Sequence, residues 1–190
     1  MQSKHIRLLA LAPLAFCGAA AAHPGHTHGA MAGLMHPFLG LDHLLAMLAV
    51  GVWATQLGGR AKWLLPLSFV ALLAAGGGLA MAGVGLPMVE GGIATSVLLL
   101  GLLIALAVKM PTALGAAMVG VFALFHGFAH GSEMPALSTP WQYAFGFMAA
   151  SAVLHGAGVL FGNGLQRQSL WLRASGGLIA LSGVWMSAAV

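Results

Sequence analysis

Residues 112–133 read TALGAAMVGVFALFHGFAHGSE. From Thr112 to His130 the run has no Asp, Glu, Lys or Arg. That is close to the ~20 residues a helix needs to cross the hydrocarbon of a bilayer. It nevertheless carries His126 and His130. Ionisable side chains at such a depth are costly, rare and usually functional. Four residues apart, the two imidazoles lie on one helical face, one turn from each other. From that spacing two imidazoles can hold one metal ion. Glu133 follows on a similar face if the helix continues, although Gly131 and Pro135 argue that it frays. The competing reading is a pair of histidines hydrogen-bonded to neighbouring helices.

Apolar runs of the same kind recur on both sides. Five more lie at about 34–57, 63–82, 91–108, 140–162 and 174–190, each near the ~20 residues of a span. The 190 residues are 60% hydrophobic and 5% charged, with mean hydropathy +0.97. A soluble domain carries about 25% charged residues. The expected fold is therefore all-α, a polytopic membrane protein of six transmembrane helices over 34–190, seated in a lipid bilayer. Helix-length runs argue against a barrel. Lys and Arg are scattered between the runs without a basic patch, so no nucleic-acid partner is expected.

Residues 1–22 read as a cleaved secretory signal peptide. Lys4, His5 and Arg7 form its basic start, Leu8–Cys17 its apolar stretch, and Ala20 and Ala22 the small-x-small cleavage site. A lipoprotein reading through Cys17 is weaker, because Phe16 precedes it. Cleavage would leave five basic and three acidic residues and no cysteine. Any metal site would then use imidazole, carboxylate, backbone or thioether donors. Residues 23–33 form a His-rich tail whose His23, His26 and His28 could collect metal ions or simply trail as a disordered end.

Arg60, Lys62, Lys109, Arg167 and Arg173 all fall after the first, third and fifth runs. The positive-inside rule puts those loops in the cytoplasm and both mature termini in the periplasm. The first run begins His36-Pro37-Phe38-Leu39-Gly40-Leu41-Asp42-His43. On the expected topology this cluster, the His126/His130/Glu133 cluster and Glu90 all converge on the outer leaflet.

His36 and His43, seven apart, share a face but stand about 10 Å apart on a straight helix. Pro37 suits a first helical turn, so His36 could lie in non-helical backbone leading into the helix and fold towards Asp42 and His43. The two could equally be successive stations on one path. Asp42 suits either a direct ligand or a partner that orients a histidine, and a buried structural Asp–His pair is the alternative to both. His155 reads as an inner station or as a histidine bonded to a neighbouring helix. Gly127-x3-Gly131 and Gly158-x3-Gly162 are small-x3-small patterns that let membrane helices approach closely. Imidazole with carboxylate suits nickel, cobalt, zinc or copper(II) better than copper(I). Met35 and Met134 add thioethers beside the clusters.

At these residues the chain resembles the HupE/UreJ family of bacterial membrane proteins. The resemblance rests on the signal, the His-rich start, His36-Pro37-x3-Gly40-x-Asp42-His43-x3-Met47 and Phe125-His126-Gly127-x-Ala129-His130-Gly131-x-Glu133-x-Pro135. It covers essentially all of the mature chain. It implies an inner-membrane nickel permease, with cobalt open, serving maturation of nickel–iron hydrogenase or urease. It carries a metal-handling role onto His36, Asp42, His43, His126, His130 and Glu133. No resident cofactor and no enzymatic activity are expected, nickel is cargo, and a homo-oligomer stays open. An intramembrane metalloenzyme is weakened by the absence of an HExxH pattern. A copper-handling accessory protein, using Met35 and Met134, is the other alternative. No nucleotide-binding motif occurs.

Overall fold

A computed structural model describes residues 29–166 and 168–190; the proposed signal peptide and His23, His26 and His28 lie outside them. Among the described residues there are seven helices and no strand. They are α1 (Ala30–Leu39), α2 (Leu41–Leu57), α3 (Ala61–Met81), α4 (Val89–Ala105), α5 (Thr112–Ser132), α6 (Pro140–Leu165) and α7 (Ser169–Ala189). Helix limits follow local chemistry. Gly58 and Gly59, both at positive φ, end α2, where glycine takes a backbone that other residues resist. Pro111 caps the start of α5, and Pro140 opens α6, the helical position where a missing N–H costs nothing.

By length and apolarity, α3, α5 and α6 can each cross a membrane, and the α1–α2 pair makes up to four spans. α4 is apolar but has only 17 residues. α7, with Arg173 and several serines, falls short in apolarity. The first expected helix, 34–57, is corrected. It is two helices bent by 85° at Gly40, and α1 begins at Ala30, inside the stretch assigned to the tail. His36 and Pro37 are helical, so the expected non-helical lead-in is absent. The break falls instead at Gly40, whose backbone is extended.

The most extensive pairings are α3 with α5, α4 with α7, and α6 with both α2 and α1. Glycines make these contacts close. A Cβ on Gly127 would sit 2.0 Å from the Leu73 carbonyl oxygen, and one on Gly76 would sit 2.3 Å from that of Leu124. Between α2 and α6, Gly51 faces the His155 carbonyl and Gly158 that of Leu48, each at 2.3 Å. A Cβ on Gly131 would meet the Gly77 carbonyl oxygen at 2.6 Å and one on Gly162 the Thr55 side chain at 2.9 Å, so both small-x3-small patterns serve close packing as expected.

The interior is largely apolar but encloses histidines, and the exterior is apolar as well. His43, His126, His130 and His155 are buried, whereas Leu67, Leu114, Phe145, Leu160, Leu178 and many other large apolar side chains are exposed. An apolar exterior of this extent marks a surface meant for an apolar surrounding. Charge is also sorted. Lys62 donates to Asn163, Lys109 to the Gln56 carbonyl, and Arg173 to the Ala105 carbonyl. These contacts gather the ends of α2, α4 and α6 with the starts of α3 and α7, so the described basic residues share one end. Asp42, Glu90 and Glu133 lie at the other end. Gly29 bonds Ser138 there, and Val190 shares a cleft of about 430 Å³ with Asp42 and Glu90.

Candidate metal site

The bend at Gly40 builds one half of the site. A Cβ there would meet Asp42 Oδ1 at 2.7 Å and His43 Nδ1 at 3.2 Å, so only glycine leaves room for that pair. Asp42 Oδ1 accepts from the His43 backbone N–H and from Nδ1, both at 2.7 Å. The carboxylate thereby holds the proton on Nδ1 and leaves the lone pair on Nε2. Nε2 is buried and has no hydrogen-bond partner among the described residues. Asp42 is thus, in this structure, the partner that orients His43.

α5 supplies the other half. Ser96, on α4, donates its hydroxyl hydrogen to the Ile93 carbonyl at 2.7 Å. With that hydrogen on the carbonyl, Ser96 accepts at its 2.8 Å contact with His126 Nε2. In that tautomer the His126 lone pair sits on Nδ1, which is buried and without a partner among the described residues. His130, one turn on, is stacked on Phe147 with ring centres 4.9 Å apart and 4° between planes. Both its ring nitrogens are buried without partners among the described residues.

The two halves meet. Ring centres lie 4.4 Å apart for His43 and His130 and 4.9 Å for His43 and His126. The helical bend also brings His36 within 4.7 Å of His130 and 6.1 Å of His43, which a straight helix would not allow. His36 is the satisfied member. Its Nε2 donates to Glu133 at 3.0 Å, and its Nδ1 accepts from the Tyr143 hydroxyl at 3.1 Å. Glu133, just past the end of α5, is 51% exposed and His36 27% exposed, so this pair lies at the outer rim of the cluster.

Neutral imidazoles with buried lone pairs and no hydrogen-bond donors are poorly explained as packing. Buried polar atoms are nearly always paired, and here the orphans are the atoms a metal ion would use. Among the described residues no three donors already stand as a chelating set, so closing on an ion requires ring rotations. Glu90 stands aside with Asp42 in the cleft at the same end. Met35 is exposed, and Met134 packs partly buried against the core. Sequence reasoning passed over Ser96, Tyr143 and Phe147, because a hydroxyl or a ring within an apolar run carries no periodic signal. Their roles come from tertiary contact.

The family model described as HupE / UreJ protein matches residues 9–186. Protein HupE of Rhizobium leguminosarum bv. viciae is 49% identical over 179 residues, 91% of this chain and 92% of that protein. No solved structure matches. The chain belongs to the HupE/UreJ family.

Proposed function

We propose that this family member is a six-span inner-membrane permease. It moves nickel(II), with cobalt(II) as the alternative cargo, from the periplasm to the cytoplasm, for maturation of nickel–iron hydrogenase or urease. The carrying observation is the set of donor-free lone pairs on His43, His126 and His130, all buried, with the His43 ring centre within 5 Å of each of the other two. Neutral imidazole suits borderline divalent ions of this group and not calcium or magnesium. His36 and Glu133 act at the outer mouth, where a carboxylate attracts the ion before it loses its water. His23, His26 and His28 raise its local concentration there.

Six spans are supported by the ring positions of the tryptophans. Trp63 and Trp171 are exposed at the basic end, and Trp141 and Trp185 are exposed at the acidic end. Tryptophan favours both faces of a bilayer, and the basic end belongs in the cytoplasm. At 1.5 Å per residue the 17 residues of α4 span about 26 Å, which modest local thinning accommodates. The chain works as a transporter rather than as an enzyme.

Radiolabelled nickel uptake into proteoliposomes tests the proposal, with cobalt, zinc and copper as competitors. Uptake inhibited by cobalt, and abolished in His130→Ala at unchanged protein insertion, is the expected result. Normal transport by His130→Ala, or a wild-type protein that moves no nickel, would overturn it.

A further inference from the structure

One buried group lies beyond the cluster. His155, on α6, is 1% exposed. Its Nδ1 is 2.5 Å from the Ser151 carbonyl oxygen. A carbonyl only accepts, so the proton is on Nδ1 and the lone pair on Nε2. That Nε2 is buried and without a partner among the described residues. It bears the same signature as His43 and His126, on a different helix. Ser151 donates its hydroxyl to Met47 Sδ at 3.3 Å, so a thioether stands beside the same turn of α6. Met47 is on α2, one turn from His43 towards the basic end. Ser151 and Met47 are both fully buried.

Phe69 packs against both this group and the outer cluster. Its ring centre lies 5.7 Å from that of His126 on one side and 4.9 Å from that of His155 on the other. The ring is fully buried and is tilted against both imidazoles. The ring thus touches an imidazole of each group.

We propose that His155 Nε2, Met47 Sδ and Ser151 Oγ form a second, inner station for a borderline divalent cation, reached from the outer cluster when the Phe69 ring swings aside. The inference rests on the transport reading above. Imidazole, thioether and hydroxyl are all neutral, so the inner station holds the ion without a fixed counter-charge. The outer cluster has Asp42 behind His43. Transfer from the charged to the uncharged donor set is electrostatically uphill, but the weaker inner set releases the ion readily, since a conducted ion must be held at successive sites but not trapped at any. Hard cations such as magnesium gain little from a thioether and are passed over.

Equilibrium dialysis of the purified full chain against radiolabelled nickel, beside proteoliposome uptake, tests this. Wild type should bind one ion more than His155→Ala, the remaining site keeping its affinity, and uptake should fall about tenfold or more. His155→Gln keeps an amide N–H for the Ser151 carbonyl. If the histidine were only structural, glutamine would restore uptake; the inner station predicts that it does not. Met47→Leu conserves volume and guards against misfolding. It should weaken the inner site alone. Wild-type stoichiometry and uptake in His155→Gln and Met47→Leu would overturn the inner station and leave the transport reading standing. A wild-type chain that binds and moves no nickel would overturn the transport reading itself.

Discussion

At the scale of single residues, the site is a set of decisions about where protons sit. Asp42 decides for His43, Ser96 for His126 and the Ser151 carbonyl for His155, and each decision leaves a buried lone pair without a protein partner among the described residues. Gly40 stands behind the first of these. In Gly40→Ala the new methyl would meet Asp42 Oδ1 and His43 Nδ1 at 2.7 and 3.2 Å. The carboxylate must leave its bond to His43. Loss of such a partner typically reduces metal affinity or activity by about 10–100-fold. We expect nickel uptake by Gly40→Ala to fall within that range while membrane insertion, followed by immunoblot of membrane fractions, is unchanged. Uptake at the wild-type rate would remove Asp42 from its orienting role. The histidines and Asp42 were legible in the sequence, because an imidazole or carboxylate in an apolar run stands out. Their partners were not, because a serine or tyrosine in such a run looks like filler until the fold brings it opposite a ring nitrogen.

At the scale of elements, contact between glycines and backbone sets how closely helices approach. α6 contains its own control. A Cβ on Gly158 would lie 2.3 Å from the Leu48 carbonyl oxygen, while one on Gly156 would meet nothing within 4 Å. Gly158→Ala forces α2 and α6 apart, at a typical overpacking loss of about 1–3 kcal/mol. Gly156→Ala loses nothing in contact and gains about 0.5–1 kcal/mol of helix preference. Thermal unfolding in detergent should thus show a lowered midpoint for Gly158→Ala and an equal or raised one for Gly156→Ala. Equal midpoints would mean that the α2–α6 interface is more yielding than its geometry implies. Here the sequence was legible in part. The small-x3-small spacing announced tight packing, but the partners of each glycine were hidden. The 85° bend was hidden too, because Pro37 drew the expected irregularity to the wrong residue, and Gly40 is one glycine among 28.

At the scale of the whole molecule, the helix pairings repeat. Let the bent pair, α3 and α4 form a first half, and α5, α6 and α7 a second. Exchanging the halves turns the α3–α5 pairing into that of α6 with the bent pair, and leaves α4–α7 as itself. Oppositely oriented halves of this kind underlie several transporter architectures. The periodic apolar runs were enough to foresee an all-helical membrane chain. The opposed directions of the two motif-bearing runs already allowed two inverted three-helix halves, but which helices pair depends on which glycine faces which, and that was not legible. Both ends of the described chain lie at the acidic end, remote from the basic one. A reporter fused after Val190 should therefore be active only outside the cytoplasm, as measured with an enzyme that folds in the periplasm alone. Activity confined to the cytoplasm would reverse the orientation.

The sorting of charge between those two ends also gives the molecule an electrical polarity. A divalent cation is drawn to the mouth that holds Asp42, Glu90 and Glu133 and repelled at the mouth that holds Arg60, Lys62, Lys109 and Arg173. Screening over about 8 Å at physiological salt leaves each mouth acting on the ions that reach it. On the transport reading proposed above, this polarity would ease inward movement and resist backward leak through charges that never move, and concentrated salt should blunt the asymmetry before it touches the buried imidazoles.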